Sequence, residues 1–273
     1  MNTKSLKQQK HPTNQGSPAQ SVGPDAETQE AMAAANKDRP VIVFTFGKGG
    51  VGKTATAQAA LIALREAGHQ VVGIDADGSN SSLKRQVADA VLLDVNDPTE
   101  VITNLERSLI ELAFQQGHSV VVDTGGGIDK AIRQWFSTED VMSICQAHNI
   151  DVIALSVIDS SMDSAAHVME TVDAMPAAHH ALVMNLGHTP GSIGEKAFQP
   201  LFSDPEFSSY AARLPHIVMP RLADAVELDA LGARLHTIGD RNSPAAANPF
   251  LVSRTKSWLS TVTGALKPVL TGA

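Results

Sequence analysis

Continuous apolar runs recur along the chain, and between them apolar residues fall three and four positions apart. The first pattern marks strands buried on both faces, and the second marks amphipathic helices. The runs VIVFTF (41–46), QVVGIDA (70–76), SVVVDT (119–124), DVIALSVI (151–158), HALVMNL (180–186) and HIVMP (216–220) are read as strands. Helices are expected from Lys53 to about Ala67, stopped by Gly68, and over Leu105–Gln116, stopped by Gly117. A last helix spans Pro249–Leu270 and carries Phe250, Leu251, Trp258, Leu259, Val262 and Leu266. Strand and helix alternate without an internal repeat, which predicts right-handed βαβ units. The expected class is α/β: a doubly wound, mostly parallel sheet flanked by helices.

The pattern begins only at residue 39. Residues 1–38 are rich in Gln, Ser, Pro, Asn and Ala and are read as a disordered arm with a short helix near 27–35. The folded domain is assigned to 39–273. The arm has basic residues but no apolar stretch, so it does not read as a secretory signal, and no run approaches the ~18 apolar residues of a membrane span.

Composition narrows the picture. Hydrophobic residues make up 43% of the 273 and aromatics only 4%, so the core is aliphatic, as suits a covered parallel sheet. The single cysteine, Cys145, cannot close an internal disulfide or build a cysteine metal cage, and it fits a cytoplasmic location. A net charge of −8 argues against a generally basic nucleic-acid binder. In 208–273, however, Arg213, Arg221, Arg234, Arg241, Arg254, Lys256 and Lys267 outnumber the acids, which leaves DNA open as a partner.

The chemistry is concentrated after the first strand. Gly47-Lys48-Gly49-Gly50-Val51-Gly52-Lys53-Thr54 has the spacing G-x-x-x-x-G-K-T between a buried strand and a helix, which is the context a phosphate loop requires. Glycines let the backbone curl so that its N–H groups point at phosphate oxygens, and the helix that continues through Ala55 adds its positive end. Lys53 is expected at the β- and γ-phosphates and the Thr54 hydroxyl at Mg²⁺. Asp123 closes a strand of β-branched residues, the arrangement that holds Mg²⁺ through water. Asp75 and Asp77 stand at another strand end, where α/β sheets face their ligand crevice. No guanine-reading N-K-x-D follows the loop, so ATP is the expected nucleotide.

The run KGGVGKT resembles the deviant Walker A loop of the ParA/MinD superfamily, and the resemblance covers roughly residues 40–265. It implies that Lys48 reaches across a dimer to the partner's ATP. It further implies that Asp77 orients the attacking water while Asp75 lies near Mg²⁺, in a segment that reads Gly78-Ser79-Asn80 where relatives have Pro-Gln-Gly-Asn. The family's D-T-P-P-G appears as Asp123-Thr124-Gly125-Gly126-Gly127, with glycines replacing both prolines, so a more flexible loop is expected. Asn185, at a strand end, and Pro220, after the last strand, match base-contacting positions.

What the resemblance implies is an ATP-dependent dimeric switch that hydrolyses ATP to ADP and phosphate, in plasmid or DNA partition, positioning or conjugative transfer. Its partners would be a second copy and a protein cargo or activator. Packing of the last helix against the body is preferred to membrane contact. A metabolic ligase on the same fold, similar to dethiobiotin synthase, is the rival reading. A nitrogenase-iron-protein-like role is disfavoured by the lone cysteine. The methionines, the histidines and Ser156 read as packing or strand-end groups, and Trp135 suits either a partner surface or the core.

Overall fold

A computed structural model describes residues 39–78, 80–93, 97–189 and 193–272. The arm and the helix expected near 27–35 lie outside the described residues. Seven strands form one parallel sheet: β1 (Val41–Phe46), β2 (Val71–Asp75), β3 (Val91–Leu92), β4 (Ser119–Asp123), β5 (Asp151–Ile158), β6 (His179–Asn185) and β7 (His216–Met219). Their order is β3-β2-β4-β1-β5-β6-β7, with every pairing parallel. From β1 the chain crosses to β2 and β3, returns to place β4 between β2 and β1, and then winds outward through β5, β6 and β7; the loop after β1 lies at the sheet's carboxyl edge, where such folds bind ligands.

The period-2 alternation of β1 divides the core. Val41 and Val43 face the side covered by α1 (Lys53–Glu66) and α10 (Pro249–Thr271). Ile42, Phe44 and Phe46 face the side covered by α3 (Pro98–Leu109), α4 (Asp129–Thr138) and α5 (Val141–Ala147). Beyond β5, the helices α6 (Met162–Ala174), α7 (Gln199–Ser203) and α8 (Pro205–Ala211) cover Leu182 and Met184. Short helices α2 (Ser82–Gln86) and α9 (Ala225–Leu231) follow β2 and β7. Helix α1 is buried around most of its circumference because it lies between the sheet and α10, and its alanines suit that close packing. Gly73 of β2 leaves the space that Leu61 of α1 and Leu83 of α2 fill.

Two elements differ from expectation. The helix expected to begin at Leu105 starts at Pro98, because Asp97 accepts the N–H groups of Thr99 and Glu100 and proline suits the first helical position. It then widens into a π-helix over Ile110–Gln115. The two-residue strand β3 is too short for periodicity to reveal. Helix α10 packs on α1 and β7, burying Leu251, Trp258, Leu259, Val262, Leu266 and Leu270. Among the described residues, no helix is long and apolar enough to cross a membrane.

Candidate functional site

The loop from Gly47 to Thr54 leaves β1 and turns directly into α1. Gly47 has φ 142°, and a Cβ there would meet the Val157 carbonyl oxygen at 2.3 Å, so the close approach to β5 requires glycine. Gly52, at φ 99°, ends the loop; a Cβ there would strike the Asn185 amide at 2.4 Å. Asn185 closes β6, donates to the Val51 carbonyl at 2.7 Å and accepts the Gly187 N–H at 2.8 Å. It thus clamps the loop to the end of β6. Pro220, just past β7, accepts the Trp258 indole N–H at 2.7 Å, which ties that segment to α10.

Lys53 is buried, and its ammonium folds back on the Gly47 carbonyl at 2.5 Å and the Lys48 carbonyl at 3.3 Å. These contacts hold the cation among loop carbonyls, at the mouth of a cavity of about 330 Å³. Gly49, Gly50, Gly52, Lys53 and Thr54 line one side of that cavity; Asp77, Asn80 and Ser82 line another; Asp123 to Gly126 complete it. The structure thus brings together the phosphate loop, Asp77 and Asp123 from three separate segments.

The three strand-end carboxylates differ in their surroundings. Asp123 is buried; burial raises its pKa to about 7, aided by the neighbouring Asp75, while a hydrogen bond from Thr54 and the charge of Lys53 oppose the rise. A buried carboxylate held with a hydroxyl beside it is a donor set that a divalent cation fits, with phosphate and water completing a hard oxygen shell. Asp75 pairs in register with Asp123, and its oxygens accept the backbone N–H groups of Asp77 at 3.0 Å and Lys84 at 2.8 Å. Burial raises its pKa, with those N–H groups opposing. Asp75 therefore anchors both ends of the segment that carries Asp77. The Asp77 side chain lies against Gly125, where a Cβ would come within 2.7 Å of it. The glycine at this position thus makes room for Asp77, beyond any effect on loop flexibility.

Two carboxylates escaped the sequence reading. Asp129, at the start of α4, is buried; it accepts the Gly47 N–H at 2.9 Å and the Thr124 hydroxyl. Burial pushes its pKa up, against the charge of Lys53. It fastens the first residue of the phosphate loop to the loop after β4. Its sequence signal was an acid in the first turn of a helix after a glycine run, at the positive helix end. Asp159, just past β5, lies 2.8 Å from the Lys48 ammonium, which also donates to the Ser161 hydroxyl at 2.7 Å. Burial would raise the Asp159 pKa, but hydrogen bonds from Lys48, Ser161 and Ser164 outweigh it and hold the carboxyl well below the usual range. Lys48 contributes nothing to the lining of the phosphate cavity.

Elsewhere, Cys145 and Trp135 are buried, and Ser156 sits inside β5. Among the described residues, no group of three or more His, Cys, Asp or Glu could hold a metal by itself. Of the carboxy-terminal cations, Arg254 is held by Asp224 at 2.7 Å.

Residues 42–256 match the family model described as the CobQ/CobB/MinD/ParA nucleotide binding domain. Among solved structures, the MinD cell division protein of Aquifex aeolicus aligns at 18% identity over 81% of this chain and 97% of that one, with a TM-score of 0.45. An McdA–ATP complex from Cyanothece aligns at 14% identity over 83% and 97%, with a TM-score of 0.45. The signal recognition particle receptor FtsY of Elizabethkingia anophelis aligns at 16% identity over 71% and 64%, with a TM-score of 0.43. A search of curated protein sequences gives no match.

Proposed function

Because the chain belongs to the CobQ/CobB/MinD/ParA nucleotide-binding family, we propose that it is a Mg²⁺-dependent ATPase whose nucleotide state switches it between monomer and dimer. The observation that carries this reading is the placement of Lys48. It is part of the phosphate loop, yet its ammonium pairs with Asp159 and does not line the loop's own cavity. A cation so placed can serve phosphoryl transfer only by leaving Asp159, and a second subunit's nucleotide gives it a destination.

In this reading, the loop amides and Lys53 take the phosphate oxygens, with Lys53 exchanging the Gly47 carbonyl for a charged partner. Thr54 and Asp123 would hold Mg²⁺, which would supply charge neutralisation to the phosphates. Asp75 acts beside them, fixing the Asp77 segment through two backbone N–H groups. Asp77 orients the attacking water, and Lys48 of the opposite subunit stabilises charge as the bond to the leaving oxygen lengthens. Asn185 retains one amide hydrogen and a second lone pair beyond its present contacts, which suits it to the adenine edge, with Pro220 alongside. The cellular role we propose is partition, positioning or conjugative transfer of a cargo released on hydrolysis. Asp77→Ala tests the core of this reading: it should bind ATP, lose turnover and elute as a dimer in ATP. Intact turnover in a monomeric variant would overturn it.

A further inference from the structure

On the sheet face opposite α1, helices α3, α4 and α5 leave a cavity of about 230 Å³ over β1 and β5. Its floor is Ile42, Phe44 and Val152, and its walls include Trp135, Phe136 and Cys145. The Cys145 thiol is pushed up to about 11 by burial, so it stays neutral and the wall stays apolar. A closed apolar cavity of roughly 150 Å³ remains dry and takes up benzene; this one is larger and reaches the surface.

Three observations indicate what fills it. Two lining residues, Ile110 and Ile144, are 51% and 53% exposed, so apolar surface continues outside the mouth. The π-helical stretch that begins at Ile110 also brings Phe114 to the lining, and such widenings concentrate at functional sites. The charged lining residues are Glu106 and Glu139, both acidic; Arg107, next to Glu106 in sequence, is not among the lining residues.

We propose that this cavity is a docking site for a peptide segment of a partner protein, which inserts one large apolar side chain and sets lysine or arginine against Glu106 and Glu139. A free small molecule of the cavity's size would leave Ile110 and Ile144 in water, whereas residues flanking a peptide anchor cover them. The site stands apart from the phosphate loop and does not depend on the nucleotide reading.

The test uses fluorescence anisotropy of a labelled, end-blocked pentapeptide with phenylalanine between pairs of lysines, titrated with the full chain. It should bind about tenfold or more tighter than the same peptide with a central alanine, the loss expected for an unburied ring. Replacing its lysines with glutamates should abolish binding. Glu106→Gln/Glu139→Gln should weaken the lysine peptide by about fivefold without moving the melting temperature. Equal affinity for the alanine peptide or no effect of the double glutamine variant would each overturn the proposal. So would a large gain in affinity on deleting residues 1–38, which would make the chain's own arm the occupant.

Discussion

The Lys48 ammonium and the Asp159 carboxylate lie 2.8 Å apart, joining the phosphate loop to the end of β5 while the loop's own cavity is lined without Lys48. Ser161 and Ser164 hydrogen-bond the same carboxylate, so the acceptor is positioned before the lysine arrives. A dimer that uses Lys48 across its interface must first break this pair.

Asp159→Asn should therefore favour the ATP dimer. The amide keeps an acceptor for the serines but loses the charge. A partly exposed ion pair is worth ~0.2–1 kcal/mol and each of the two subunits breaks one, so the dimerisation constant in ATP should rise about two- to thirtyfold. Sedimentation velocity across a protein dilution series measures it. An unchanged or weaker dimer would mean that the pair supports the dimer instead of competing with it.

Asp123 makes the site pH-dependent. Its pKa is raised from 3.8 to about 7, so the folded chain binds its proton more tightly than the unfolded chain does. Its contribution to stability is complete below about pH 4 and is lost as pH rises through about 7. Without nucleotide and metal, Asp123→Asn should lose less melting temperature than the parent between pH 5 and 8. Mg²⁺-dependent ATP affinity of the parent should rise over the same interval, because the metal needs the carboxylate. Parallel melting curves for both proteins would show that Asp123 is not the titrating group.

Asn185 is predicted to matter before any base arrives. Asn185→Ala strips the Val51 carbonyl of its donor and Gly187 of its acceptor. Leaving such buried groups unpaired costs about 1–3 kcal/mol. The urea midpoint should fall accordingly without nucleotide, and ATP affinity should fall with it. Wild-type stability together with lost affinity would confine Asn185 to base contact.

Much of this was legible in the sequence because the signals were local. Six of the seven strands are continuous apolar runs, and the phosphate loop is one unbroken motif between a strand and a helix. The missed strand, Val91–Leu92, pairs only with Ile74 and Asp75 and has no period of its own. What escaped within the site was non-local. Asp129 reaches back 82 residues to Gly47, and Asp159 meets Lys48 only because β5 lies beside β1. The space that Gly125 leaves for Asp77 likewise depends on β2 and β4 being neighbours, which strand order alone decides. The cavity beside Trp135 follows from how three helices meet, which no single segment encodes.

In the proposed dimer, each active site draws Lys48 from one subunit and Asp77 from the other. ATP turnover of purified heterodimers of Lys48→Ala with Asp77→Ala tests this. In the heterodimer, one site would combine the intact Asp77 of the first variant with the intact Lys48 of the second, while the other site carried both lesions. Turnover should therefore return to about half the wild-type rate per dimer, from two variants that are each inactive alone. If Lys48 acts within its own subunit, every site keeps one lesion. Proven heterodimers without recovered turnover would contradict the shared-site mechanism.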